Sequence, residues 1–431
     1  MKKNRVILTG VIGNALEFYD FTLYGVFAVM IAQLYFPSAT PLVAILASWG
    51  AFAAGFFMRP FGALIFGYLG DKFGRKKALS ISIIGMGLPT LLIGCLPTHQ
   101  QIGVAAPFLL VLCRLIQGAC TGGEYNGAAI FALEHVGKNK PGFFGGLITG
   151  SCVIGALLAT ALGTLVTKSS DPEFFWRLPF IFGGGISLIG FYIRRRVSES
   201  PEFLANQKNP NSTSFSLTSV FTNHHKSLLI SLMIGCLNGA LSYTLFGFLN
   251  SYLKRYIGVP LENAMLFSLI GLSVFMISSP LFGLLMDKIG KHRYFLLAPI
   301  GVCSLALTTF FLLQNADTNS IVIAQVLLGL ATGCIAGPQH AFVQNLFPVS
   351  IRYRAISFSF CLGMALCGGT APLILTYLIE KTGDFIMPAY FISLISTLLF
   401  LSIYSLRRSL KAEPSPLYSH SKKASDVVIR S

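Results

Sequence analysis

Gly67-Tyr68-Leu69-Gly70-Asp71-Lys72-Phe73-Gly74-Arg75-Lys76-Lys77 returns 216 positions later as Gly283-Leu284-Leu285-Met286-Asp287-Lys288-Ile289-Gly290-Lys291-His292-Arg293. Gly67, Asp71, Lys72 and Gly74 match Gly283, Asp287, Lys288 and Gly290 position for position. The offset is about half of the 431-residue chain. Each copy is a short polar turn between two long apolar runs. The same turn at the same place in two halves marks an internal repeat. Repeats of this kind belong to transporter folds, with the substrate site where the halves meet.

The composition agrees. Charged residues make up 11% of the chain and hydrophobic ones 54%, against roughly 25% charged in average proteins. Mean hydropathy is +0.70. A soluble protein of this size needs a charged shell, and 16 acidic residues cannot help to build one. A membrane helix needs about 20 mostly apolar residues, and twelve runs qualify. The expected fold is an all-α polytopic membrane protein of twelve transmembrane helices in two pseudo-symmetric six-helix bundles. The expected divisions are an N-terminal bundle (1–193), a central cytoplasmic loop (194–226), a C-terminal bundle (227–406) and a short tail (407–431). The loop opens with Arg194-Arg195-Arg196, and the tail has no apolar heptads, so no coiled coil is expected there. The first apolar run carries Glu17 and Asp20 and lacks a small-residue cleavage site, so it does not read as a removable signal peptide.

A net charge of +16 on a soluble chain would suggest a nucleic-acid partner. Here the basic residues sit in short loops between apolar runs, and no nucleic acid is expected. With both termini in the cytoplasm, 25 of the 32 Lys and Arg fall in cytoplasmic stretches. Five fall outside, at Lys168, Arg177, Lys254, Arg255 and Lys381, and Arg59 and Arg114 lie within spans. That asymmetry is the signature of cytoplasmic termini and an even number of spans. The nine cysteines all lie in apolar runs without a Cys-x-x-Cys spacing, so neither disulfides nor a metal site is expected. No phosphate-binding loop, dinucleotide motif or zinc-protease motif is present. No cofactor, no enzymatic activity and no obligate protein partner are expected.

Ionisable residues inside a span are costly and mark function. The first half has Glu17, Asp20, Arg59, Arg114 and Glu124 well inside, and the second half has only His340 at depth. Proton coupling is therefore expected in the N-terminal half. Glu17 and Asp20 share a helix face. Two close carboxylates in a poorly hydrated site cannot easily both ionise, which suits a proton carrier. Glu124 is the expected second coupling carboxylate, or else the partner of an arginine from another span. Arg59 precedes Pro60, which can kink the helix. Its planar fork either holds a substrate carboxylate or neutralises Asp20 or Glu124. Tyr19 and Tyr24 are candidates for an aromatic substrate contact, since aromatic faces hold quaternary ammonium groups. Asn238, Tyr243 and His340 are the candidate polar contacts from the other half. Gly67, Asp71, Gly74, Arg75, Asp287, Gly290 and Lys291 read as a cytoplasmic gate, at a surface where charge is tolerated. They would pair with helix ends and balance inward and outward states, or else simply determine topology.

The repeated turn resembles the signature of the major facilitator superfamily. Further stretches resemble its metabolite–proton symporter family: Gly13-Asn14 through Gly25, Met58-Arg59-Pro60-Phe61-Gly62, Arg114-Leu115-Ile116-Gln117-Gly118 with Gly122-Gly123-Glu124-Tyr125, Trp176 to Phe180, and Phe347 to Tyr353. The run from Ala106 to Phe131 is most similar to the proline/betaine branch. The resemblance implies a bacterial inner-membrane carrier that works by alternating access. Its expected partners are a small organic-ion substrate, protons and the lipid bilayer. It links Arg114 to proton transfer. Members of the family carry proline, betaines, 2-oxoglutarate, shikimate or citrate. The alternatives are a proton symporter for a dicarboxylate or other organic acid, such as 2-oxoglutarate, citrate or shikimate, and an antiporter or exporter of the same fold; against the last stands the absence of proline from span five, 143–167.

Overall fold

The computed structural model describes residues 3–37, 41–136, 139–167, 169–207, 222 and 224–412. Part of the expected central loop (208–221 and 223), the tail from 413 onward and Lys168 lie outside the described residues.

Within the described residues the chain is helices joined by short turns. The first half runs α1 (Lys3–Val26), α2 (Ala28–Tyr35), α3 (Pro41–Phe73), α4 (Arg75–Cys95), α5 (His99–Ile102), α6 (Ala105–Val136), α7 (Pro141–Gly150), α8 (Cys152–Thr167), α9 (Pro172–Phe175), α10 (Arg177–Arg195) and α11 (Pro201–Gln207). The second half runs α12 (His225–Tyr243), α13 (Leu249–Tyr252), α14 (Leu261–Ile289), α15 (Lys291–Leu313), α16 (Thr318–Val343), α17 (Arg352–Met364), α18 (Ala371–Thr382) and α19 (Met387–Ala412). Hydrocarbon offers no partner for a free N–H or C=O, so spanning segments close their hydrogen bonds internally as helices. Among the described residues, ten helices are long and apolar enough to cross a membrane. The other two expected spans, the first and the sixth, coincide with α1 continued by α2 and with α10.

The structure departs from the expected spans in three ways. Span one is interrupted at Phe27 and span five at Ser151. Spans seven and eleven pass through π-helical turns at Thr244–Phe248, Leu253–Ile257 and Ala365–Gly369. Span six extends to Arg195 and takes Arg194 out of the expected loop, because that guanidinium finds acceptors inside the bundle.

In the first half α3 packs on α6, α4 on α10, and α1 on α8 and α6. In the second half α14 packs on α16, α12 on α17, and α15 on α16 and α19. Close approach rests on glycine. A Cβ on Gly118 of α6 would stand 1.9 Å from the Gly55 carbonyl of α3, and one on Gly329 of α16 would stand 2.5 Å from that of Gly271 in α14. Small residues let membrane helices meet backbone to backbone. The halves touch where α7 lies on α14 and α16, and where α17 lies on α3.

Candidate functional site

Three helices of the first half converge on one polar cluster. Asp20 projects from α1, and its Oδ1 accepts from Thr90 Oγ1 of α4 at 2.7 Å and from Gln117 Nε2 of α6 at 2.9 Å. Its Oδ2 accepts from Arg114 at 3.2 Å. Arg114 also donates to Gln117 Oε1 at 2.8 Å, the contact that a three-residue helical spacing allows. The Arg114 guanidinium lies 4.4 Å from the centroid of the Tyr24 ring. Asp20 and Arg114 are both buried. Removing either partner of such a pair would leave an uncompensated charge, at a cost of about 3–5 kcal/mol.

Glu17, one turn earlier on α1, is set differently. Its Oε1 stands 3.5 Å from Arg59 of α3, and its Oε2 has no hydrogen-bond partner among the described residues. The Arg59 guanidinium rests over Phe56 at 4.4 Å and Phe21 at 5.6 Å. Glu17, Asp20, Arg59, Arg114 and Gln117 line one cleft with Phe21, Phe52 and Phe56. Its empty volume is about 280 Å³, open solvent included.

The other expected site residues lie elsewhere. Glu124 is fully buried and held by Arg194 of α10, which donates to both of its carboxylate oxygens, while Ser82 Oγ donates at 2.6 Å. Tyr19 donates its hydroxyl to the Pro179 carbonyl at 2.6 Å, and Tyr24 to that of Ser48 at 3.0 Å. Both tyrosines are packed in the core, and the rings on the cleft are phenylalanines. Tyr243 reaches the cleft's edge from the second half, with its ring 5.5 Å from Phe56 and 6.1 Å from Phe21. Asn238 is buried against Met364, its Nδ2 3.9 Å from the sulfur. His340 is buried beside Tyr125, with ring centroids 4.9 Å apart.

The repeated turns both lie where the halves meet. Asp71 accepts from Arg75 at 2.6 Å, from the Tyr353 amide at 3.2 Å and from the Arg354 amide at 3.1 Å. Asp287 accepts from the Gly142 amide at 2.9 Å and the Phe143 amide at 3.1 Å. Each aspartate thus crosses to the N-terminus of a helix in the opposite half, α17 or α7, where free amides and the helix dipole favour an anion. Gly74 and Gly290 turn the chain at φ 107° and 93°. Gly67 packs against the backbone of Arg354, where a Cβ would come within 2.5 Å. The expected surface setting is corrected for one copy: Arg75 and the Asp71 side chain are buried. The reason is a larger network. Arg75 also donates to the Val349 carbonyl at 2.8 Å and stands 3.7 Å from Glu134. Glu134 meets Arg352 of the second half at 3.0 Å. Lys291 is half-buried and makes no ion pair among the described residues.

Several members of these clusters carry little signal in the sequence. Thr90, Phe52 and Phe56 are unremarked positions in apolar runs. Arg194 was hidden by its basic neighbours, Arg195 and Arg196. Glu134 carried a usable signal, as one of few acidic residues near a span end.

The comparisons bear on this geometry. The family model described as Major Facilitator Superfamily matches residues 10–313 and 273–428. A proline/betaine transporter of Salmonella typhimurium is 31% identical, over 99% of this chain and 87% of that protein. The glycine betaine/proline/ectoine/pipecolic acid transporter OusA of Dickeya dadantii is 30% identical, over 98% and 86%. Among solved structures, the proton:xylose symporter XylE superposes with a TM-score of 0.75 at 14% identity, covering 94% of this chain and 95% of that one. FucP in its outward conformation superposes with a TM-score of 0.67 at 16% identity, covering 93% and 99%. The two structures carry the fold alone.

Proposed function

Since the chain belongs to the major facilitator superfamily and is a secondary transporter in a membrane, we propose that it is a proton-coupled symporter of a small organic zwitterion of the proline or glycine betaine kind. It works by alternating access in a bacterial inner membrane with both termini in the cytoplasm. The basic asymmetry of the loops supports that orientation. The bundles of the two halves are the rocking bodies, and the repeated turns are the cytoplasmic gate. The bonds that both aspartates make to amides of the opposite half support that reading, since they would hold such a gate shut.

The observation that carries the coupling is the setting of Asp20. Its carboxylate is bound from α4 and α6 at once, beside the cleft. A proton on Asp20 ends the ion pair with Arg114 and loosens the tie between α1 and α6. Cargo and proton thereby act on the same helices. Glu124 serves coupling less well, because it stands outside the lining of the cleft that Asp20 faces.

The test is uptake of labelled proline and glycine betaine into proteoliposomes under an imposed pH gradient. Unlabelled 2-oxoglutarate, citrate and shikimate serve as competitors. Wild-type protein should concentrate at least one label, and a protonophore should abolish the gain. Asp20→Asn should bring accumulation to equilibrium while counterflow exchange persists. Accumulation by Asp20→Asn would overturn the coupling assignment. Uptake of neither label by wild type would overturn the choice of cargo.

A further inference from the structure

Glu17 is the carboxylate of the cleft whose binding capacity the protein leaves open. Asp20, one turn away, accepts three hydrogen bonds. Glu17 has one contact, at 3.5 Å and beyond normal charge-assisted hydrogen-bond length, and its Oε2 has no partner among the described residues. The residue is nevertheless 3% exposed. A buried carboxylate oxygen without a donor is costly unless something binds it. Arg59 is the matching case. Its guanidinium makes no hydrogen bond among the described residues; around it stand the same 3.5 Å contact, the two phenylalanine faces and the Tyr243 side chain. The cleft wall thus presents a loosely held anion from α1 beside a loosely held cation from α3.

We propose that this pair reads the two poles of the zwitterion. Glu17 Oε2 receives the cationic nitrogen, and the Arg59 fork receives the carboxylate. The assignment rests on the zwitterion reading given above. It explains why the pair is loose. In the empty cleft the two side chains offset one another's charge. A bound zwitterion replaces each by a closer opposite charge, so net charge in the site never changes. An N-methylated nitrogen donates no hydrogen bond but still gains from the unpaired oxygen and from the adjacent Phe21 ring. A solute with a carboxylate and no cation would engage Arg59 and leave Glu17 buried and unpaired, so the site discriminates against it.

Glu17 is therefore a specificity residue, separate from the proton site at Asp20. The experiment uses the full-length protein in proteoliposomes with labelled proline. Unlabelled cyclopentanecarboxylate is the probe, since it has proline's ring and carboxylate without the nitrogen. In wild type it should inhibit at least about tenfold more weakly than unlabelled proline. Glu17→Gln should raise the KM for proline by about 10- to 100-fold. It should also narrow the gap to cyclopentanecarboxylate, with the accumulation ratio at saturating proline unchanged. Equal inhibition of wild type by the two compounds would overturn the assignment without any variant having to fold. So would Glu17→Gln with an unchanged KM and lost accumulation, which would make Glu17 a proton carrier. Wild type that takes up no proline or betaine would overturn the cargo reading, and this assignment with it.

Discussion

Arg114 to Gly122 on α6 and Gln325 to Gly333 on α16 are the same piece of helix put to different uses. Both contain a glycine four residues on, then a threonine and a second glycine at equal spacing. Both press the first glycine onto a carbonyl of the neighbouring helix, Gly55 or Gly271. The polar content differs. Arg114 holds Asp20 and Gln117, whereas Gln325 is fully buried and its amide has no hydrogen-bond partner among the described residues. Around Gln325 the second half packs as one continuous apolar core that also takes in Tyr125 and Val153 of the first half, whose other buried apolar residues form smaller clusters. A shared groove geometry therefore does not imply shared chemistry. Backbone packing needs small residues at fixed spacing, and the position one turn earlier is free to carry charge or not.

The comparison breaks most sharply if the first half is made to resemble the second. Arg114→Gln leaves Asp20 buried without its cation, and should cost about 3–5 kcal/mol in thermal unfolding and abolish accumulation under a pH gradient. Adding Asp20→Asn to it should restore most of the stability and none of the accumulation. Stability that stays low in the double variant would mean that Arg114 supports the fold independently of Asp20.

The two gates sharpen the comparison next. Asp71 has Arg75 and Arg354 beside it as well as two amides, whereas among the described residues Asp287 accepts from two amides and feels only the more distant charge of Lys291. Losing bonds to a charged acceptor is worth about 1.5–3 kcal/mol. Asp71→Asn should therefore raise the open fraction about tenfold or more. Asp287→Asn should raise it less. The alkylation rate of Val349→Cys in a cysteine-free background reports this opening. Equal rates in the two variants would mean that Arg75 adds nothing to the closed state.

Smaller effects should follow at the grooves. Gly118→Ala and Gly329→Ala each force backbones apart, at about 1–3 kcal/mol, with the larger loss at Gly118 because its contact is tighter. Melting curves of the two variants test that ranking. Smallest of all, Gln325→Leu should change stability by less than about 1 kcal/mol, since replacing an unsatisfied buried amide by an apolar side chain removes a cost. Gln117→Leu, which strips hydrogen bonds from Asp20 and Arg114, should impair accumulation. Similar losses in both glutamine variants would show that Gln325 has a role the packing does not reveal.

Periodicity and composition carry the fold, because a chain in hydrocarbon has few ways to satisfy its backbone. Span length, the basic loops and the repeated turn are local properties, and they were legible without coordinates. So was the neighbourhood of Arg114 and Gln117, which one helical turn makes inevitable. The pairings between helices were not. Glu124 could have faced Arg59, Arg114 or Arg194, and only the packing of α4 on α10 brings Arg194 to it. The same holds for Glu17 with Arg59, for Thr90 on Asp20, and for the aspartates at helix N-termini some 145 and 282 residues away in sequence. The burial of Tyr19 and Tyr24 likewise follows from which face of α1 meets its neighbours. Sequence spacing sets which side chains share a face within one helix. Which faces meet depends on the rotation and contact of whole helices, and that is a property of the assembled bundle.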